Sequence, residues 1–369
     1  MIFYLIIFTI CTAILLFDYK VVTNRTLSTR ITSITSIRVV KVSSIRIGMI
    51  ISLLILVLVN GLRYDVGTDQ LWYINGIIPA ALSGNDIAEA EGFSFLVRIM
   101  YQIIPDTHSI YIIISTALIV LFYICFYQNS AMPWLSIVLW LLLGLYSFSF
   151  NGMRQMFATA IAFCAIKYIR EKKFIKFAVA VLFATSMHHV AIAYIFLYFL
   201  PYINLRKNKK AIFVLFLVVV FKSQFIQFLY YLASFIGTYQ AYFGGRYYGE
   251  GVSWSLIFVT VIPLVIYTIF DHATYADISL NETSNLYYNI SVIQVLFALL
   301  YLLIPNADRF IFMFLGVHCL YVPYLLTYII KSKKNRRIIG AVFIMIALVF
   351  WIYYFGILNC GETIPYKVQ

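Results

Sequence analysis

The feature that most constrains this chain is the recurrence of long apolar stretches divided by short breaks. They run 1–17, 47–62, 109–127, 131–149, 151–169, 174–187, 188–203, 211–232, 253–270, 285–303, 309–330 and 338–356. Inside a lipid bilayer every backbone N–H and C=O must find its partner within the protein, so such stretches cross as helices of roughly 20 residues. Only 11% of the 369 residues are charged and 63% are hydrophobic, against roughly 25% charge in a soluble domain. A water-soluble fold is excluded. The pattern predicts an all-α, polytopic integral membrane protein with about 12 transmembrane helices, in which residues 1–369 form one transmembrane domain. The stretches 174–187 and 188–203 are short for two upright spans, which predicts a shallow hairpin or a broken helix. The segment 92–104 covers only about two-thirds of a span and reads as a short re-entrant or interfacial helix.

The net charge of +13 does not point to nucleic acid, because the basic residues form neither a continuous arm nor an aromatic-interleaved patch. Four clusters, at 18–46, 167–176, 204–210 and 331–337, hold 20 of the 27 Lys and Arg residues. Placing all four on the cytoplasmic side obeys the positive-inside rule and agrees with the parity of the spans, which puts both termini outside. Residues 271–284 contain no Lys or Arg, so their inner placement rests on parity alone. The first 17 residues lack the basic start of a signal peptide and read as a span. The five cysteines are scattered without CxxC or framework spacing, as packing residues are.

This topology gathers the unusual polar residues on the outer face. Arg63, Asp65 and Asp69 end the second stretch, and in a helical turn the two carboxylates would share a face at i,i+4. There they can bind a cation, orient an arginine or act as a base, or simply line a solvated loop mouth. Glu91, Arg98 and Gln102 mark one stripe of the short segment, and Arg98 among apolar neighbours calls for a polar cavity or a partner. Asn151-Gly152-Met153-Arg154-Gln155 interrupts two apolar runs, and Arg154 at a helix start combines its charge with the helix dipole as an anion site would. His188 and His189 form an outer corner, where one can serve as a base or a hydrogen-bonding cap. No ligand spacing suits zinc. Arg246, in a glycine and aromatic loop, and Asp308-Arg309, at the start of the eleventh stretch, add two guanidinium groups suited to bidentate phosphate binding. Walker A, GxSxG, HExxH and Rossmann fingerprints are absent.

The order of Arg63-Tyr64-Asp65, Gly67-Thr68-Asp69, Glu91-Gly92-Phe93, Asn151 to Gln155, His188-His189 and Asp308-Arg309-Phe310 resembles the EpsG family of Wzy-like polysaccharide polymerases. The resemblance covers most of the chain, though each motif is short, and it is their succession that carries it. It implies a bacterial cytoplasmic (inner) membrane glycosyltransferase with its site facing the periplasm or cell exterior. Such an enzyme joins undecaprenyl-diphosphate-linked oligosaccharide repeat units by transferring the growing chain to the next lipid-linked unit. Membrane lipid is its surroundings, and flippase and chain-length regulator are its implied partners. With diphosphate as leaving group no metal or other cofactor is expected. On this reading Arg154 and Arg309 contact the diphosphate, assisted by Arg63, Arg98 or Arg246. Glu91 or Asp65 activates the acceptor, with His189 as alternative base, and Asp69, Asn151, Gln155, Asp308 and His188 give support. The rival readings are an O-antigen ligase, which would carry a larger outer loop than 233–252, and a flippase or transporter, which would place ionisable residues near the bilayer midplane and show internal repeats.

Overall fold

A computed structural model describes residues 1–30, 47–84, 90–208, 253–271, 278–301 and 306–368, with scattered positions between 217 and 231. The described residues are helical, and the sole β-pairing among them is an isolated bridge between Arg63 and Val368. The main helices are α1 (Ile2–Arg30), α2 (Ile47–Leu62), α3 (Glu91–Ile103), α4 (Thr107–Asn129), α5 (Pro133–Leu142), α6 (Met153–Cys164), α7 (Phe174–Met187), α8 (Trp254–Phe270), α9 (Ile278–Leu299), α10 (Ala307–Leu315), α11 (Val317–Tyr324) and α12 (Lys333–Trp351).

This is a helical membrane protein, but the expected count of about 12 spans is not reached among the described residues. Four helical stretches are long and apolar enough to cross a bilayer: Ile2–Tyr19, Thr107–Asn129, Ala307–Ile329 and Lys333–Ile357. The other apolar stretches fold into shorter helices for local reasons. Pro133 opens α5 from a position where its missing N–H costs nothing, and Gly144, at φ 73°, ends that run after Leu143. The stretch 211–232 lies mostly outside the described residues. The short hairpin is real: α7 runs Phe174–Met187, and His189–Tyr198 returns as a 3-10 helix. At about 2.0 Å rise per residue, against 1.5 Å for an α-helix, ten residues so wound reach as far as about thirteen in an α-helix.

Burial sorts the helices into a centre and a rim. The Ala307–Ile329 stretch is 89% buried, whereas Ile2–Tyr19 is 22% buried. A helix apolar on every side belongs either in a protein interior or against lipid. Leu135 to Leu143 and Ile311 to Leu326 take the first option. Leu54, Leu58, Phe183 and Val349, on rim helices, keep an exposed face of the second kind.

The connections collect at two ends of the bundle. One holds Met1, the 63–73 loop, the starts of α3, α4, α6 and α10, the α7 corner and the tail 358–368. The other holds the α4 end with Lys167, Arg170, Lys172, Arg206, Asp271 and Glu282, tied by Arg170 to Asn129 (2.7 Å), Lys167 to Gln128 (2.8 Å) and Lys172 to Glu282 (2.8 Å). The lysine- and arginine-free connection after α8 thus starts at the same end as the basic clusters, as span parity requires.

Candidate functional site at the Arg154 end

The site is assembled on the first turns of three helices. α6 begins at Met153 after Gly152, so Arg154 sits in its first turn, where free N–H groups and the helix dipole make the surroundings positive. Its backbone N–H donates to the Tyr73 hydroxyl (3.3 Å), and its guanidinium lies 5.5 Å from the Phe93 ring centre. Phe93 belongs to the first turn of α3, directly after Glu91-Gly92. Gly92 is there because α3 meets the end of α7 closely: any Cβ would collide with Ser186. Glu91 is exposed at this rim.

The third helix start is α10. Gln155, buried behind Arg154, donates its amide to the Arg309 carbonyl (2.6 Å), locking α6 to α10. The Arg309 side chain is exposed and has no carboxylate within ion-pair distance among the described residues. His188, extended at φ −157° between α7 and the 3-10 helix, lies close enough to both arginines to feel their charge. Burial, then the charges of Arg154, Arg309 and His189, hold its imidazole down to about 3. It is neutral at physiological pH, and its Nδ1 is buried without a hydrogen-bond partner among the described residues. His189, the next residue, is exposed.

A positive corner with a neutral, hydrogen-bond-capable imidazole suits an anion. The family comparison bears on this, since its model spans nearly all the elements that build the corner: it is described as the EpsG family and matches residues 46–368. The chain belongs to the EpsG family. Neither a curated protein nor a solved structure matches. Membership supports a polysaccharide polymerase in general terms.

The other residues expected in this EpsG-family site are distributed around the corner. Arg63 is 1% exposed. It donates to the Asn60 carbonyl (3.2 Å) and to the Tyr111 hydroxyl, and lies 3.8 Å from the Phe150 ring centre. It stands behind the site, supporting it from below. Asp65 and Asp69 do not share a helical face: Asp65 at φ 51° and Gly67 at φ 90° turn the loop, and helix begins only at Gln70. Asp65 pairs with Lys367 at 2.6 Å, while Asp69 accepts from Thr68 (2.9 Å) and its charge reaches Tyr111. Arg98 points away from the corner and donates to the Ala81 carbonyl (2.8 Å). Asp308 bears electrostatically on Tyr301, Tyr354 and Cys360, on the tail side. Arg246 and the 233–252 loop on which the ligase comparison turned lie outside the described residues.

Sequence reasoning missed two contributors. Tyr73 is 4% exposed and supplies the hydroxyl that accepts from the Arg154 backbone N–H. The tail beyond α12 packs against the 63–67 loop and Asn151, whose amide donates to the Gly361 carbonyl (2.8 Å).

Proposed function

We propose that this protein polymerises lipid-diphosphate-linked oligosaccharide repeat units, with its site at the Arg154 end facing the outside of the bacterial cytoplasmic membrane. The observation that carries the reading is the convergence of two guanidinium charges, Arg154 and Arg309 from two different helix starts, on the largely enclosed His188 imidazole. Guanidinium groups stabilise charge that grows on a departing diphosphate, and they do so best when already in place before the reaction.

In the reaction the bond between the sugar's anomeric carbon and a diphosphate oxygen breaks, and that oxygen leaves with the electron pair. The acceptor hydroxyl forms the new bond to the anomeric carbon, and its proton passes to a base. Arg154 and Arg309 hold the diphosphate, His188 offers a neutral hydrogen-bonding partner, and Glu91 takes the proton, with His189 as the alternative. Asp65 is the weaker candidate because Lys367 occupies it. A lipid carrier also needs an apolar berth for its tail. Between α8 and α12 lies a groove of about 570 Å³ lined by Phe258, Ile262, Met345, Val349 and Phe350. Phe350 packs against Phe312, with ring centres 6.5 Å apart, one turn below Arg309. The basic clusters at the opposite end support placing that end in the cytoplasm.

The test is to supply purified protein with a synthetic lipid-diphosphate repeat unit and look for a product ladder on a gel. Wild type should give the ladder and Arg154→Ala single repeats only. A folded wild-type protein that never lengthens its authentic substrate defeats the proposal, and cells that accumulate unflipped substrate on the inner leaflet would indicate transport instead.

A further inference from the structure

The tail 358–368 is fastened at many points. Tyr64 N–H donates to the Lys367 carbonyl (3.0 Å) and Gly67 N–H to the Glu362 carbonyl (3.0 Å). The Tyr4 hydroxyl donates to the Thr363 carbonyl (3.0 Å) and the Tyr366 hydroxyl to the Val59 carbonyl (2.8 Å). Asn359 closes the turn by donating to the Ile364 carbonyl (2.7 Å) and accepting from its N–H (3.0 Å), and Tyr366 stacks on Phe3 at 4.2 Å. Most of these contacts hold the tail to α1, α2 and the 63–67 loop. One of them is aimed at the functional corner.

That contact is the Asn151 carboxamide, three residues before Arg154. Its Nδ2 donates to Gly361, and a Cβ on Gly361 would collide with Nδ2. On the other side a Cβ on Gly67 would collide with its Oδ1, which is buried without a hydrogen-bond partner among the described residues. Both glycines are left-handed, at φ 94° and 90°, where other residues are strained. Two glycine backbones, one from the tail and one from the 63–67 loop, therefore clamp one amide. The same loop continues into Tyr73, which holds the Arg154 backbone N–H. Arg154 is thus referenced to the tail and the loop through two separate contacts, at Asn151 and at its own amide.

We propose that residues 358–368 are a strap that positions Arg154 for the lipid diphosphate, with Asn151 and Gly361 as positioning residues acting through the start of α6. This rests on the polymerase reading for its ligand, but the strap itself has a ligand-independent signature. Three variants separate the roles: Asn151→Asp, which turns an oxygen toward the Gly361 carbonyl; Gly361→Ala, which forces the clamp open; and Lys367→Ala, which alters the strap away from the clamp. Amide hydrogen exchange of residues 153–156 reads positioning, binding of farnesyl diphosphate reads the site, and thermal unfolding reads the fold.

Asn151→Asp and Gly361→Ala should speed exchange at 153–156 at least tenfold and weaken diphosphate binding about tenfold, with exchange in the α4 and α11 cores unchanged. Lys367→Ala should leave both near wild type. Unchanged exchange at 153–156 in the two clamp variants overturns the proposal, as does faster exchange with undiminished diphosphate binding. If Gly361→Ala fails to fold, Asn151→Asp decides. Should wild-type protein bind no lipid diphosphate, the polymerase reading falls, while the exchange measurement still decides whether the strap positions α6.

Discussion

The two ends of the bundle treat arginine in opposite ways. At one end Arg206, with its side chain 8% exposed, is surrounded by acceptors. Its Nη2 donates to Asp271 (3.0 Å), to the Ser284 hydroxyl (3.0 Å) and to the Tyr321 hydroxyl (2.7 Å), and the guanidinium covers the Tyr288 ring at 4.0 Å. Asp271, wholly buried, also accepts from Ser284 (2.5 Å) and Tyr321 (2.5 Å). At the other end Arg309 is exposed, with the partly buried Asp308 feeling its charge but no carboxylate within ion-pair distance among the described residues, and His188 is kept neutral by burial and positive charge. The first end uses its charges to join the 203–208 segment to α9, α11 and the end of α8. The second gathers two arginines on helix starts around a neutral imidazole.

Substitutions at the two ends should therefore separate stability from activity. Asp271→Ala leaves a buried guanidinium without its counter-ion and should cost about 3–5 kcal/mol of stability, seen as a large fall in thermal midpoint in detergent. Arg309→Ala should leave that midpoint within a degree or two and lower turnover on lipid-linked repeats about 100-fold, about 2.7 kcal/mol of transition-state stabilisation. Equal stability losses at both ends would dissolve the contrast.

His188 gives a pH version of the same test. Its folded-state value of about 3 lies below the ordinary 6.5, so the unfolded chain takes up the proton first, and stability contributed by the neutral imidazole is lost as pH falls from 6.5 toward 3. The imidazole resonances of His188 should stay neutral from pH 8 to 5 in an NMR titration, and His188→Gln should weaken the acid-side fall in stability. Titration of His188 near 6.5 would mean that the imidazole is neither buried nor under the charge of the two arginines. The smallest effect should be at Lys367→Ala. That pair with Asp65 is about half exposed, and removing it should change stability by about 0–1 kcal/mol in a denaturation experiment.

Much of this was legible in the sequence. Apolar stretches announced the helices, and Arg154, Gln155, His188 and Arg309, scattered over more than 150 positions, were all assigned to the end where the fold brings them together. What escaped had physical causes. Span counting assumes continuous α-helix, whereas Gly144 ends one run early and His189–Tyr198 winds more tightly. The i,i+4 reading of Asp65 and Asp69 failed because positive φ at Asp65 and Gly67 is a backbone property with no period. The division of labour between two adjacent histidines follows from one extended residue, which leaves His188 largely enclosed and His189 exposed. The tail gave no signal because it is held largely through its carbonyl oxygens, at Gly361, Glu362, Thr363 and Lys367, and every residue type has a carbonyl.

That last feature has a consequence for how the protein is made. The 63–67 loop and Asn151 leave the ribosome long before Gly361, yet their clamp closes on residues that follow α12. During synthesis the early 63–67 loop must wait, incompletely bonded, while α7 to α12 are inserted. Chains broken off within α12 would retain Arg154 and Arg309 but lack the partner that holds Asn151, so the first turn of α6 would be left without one of its two anchors.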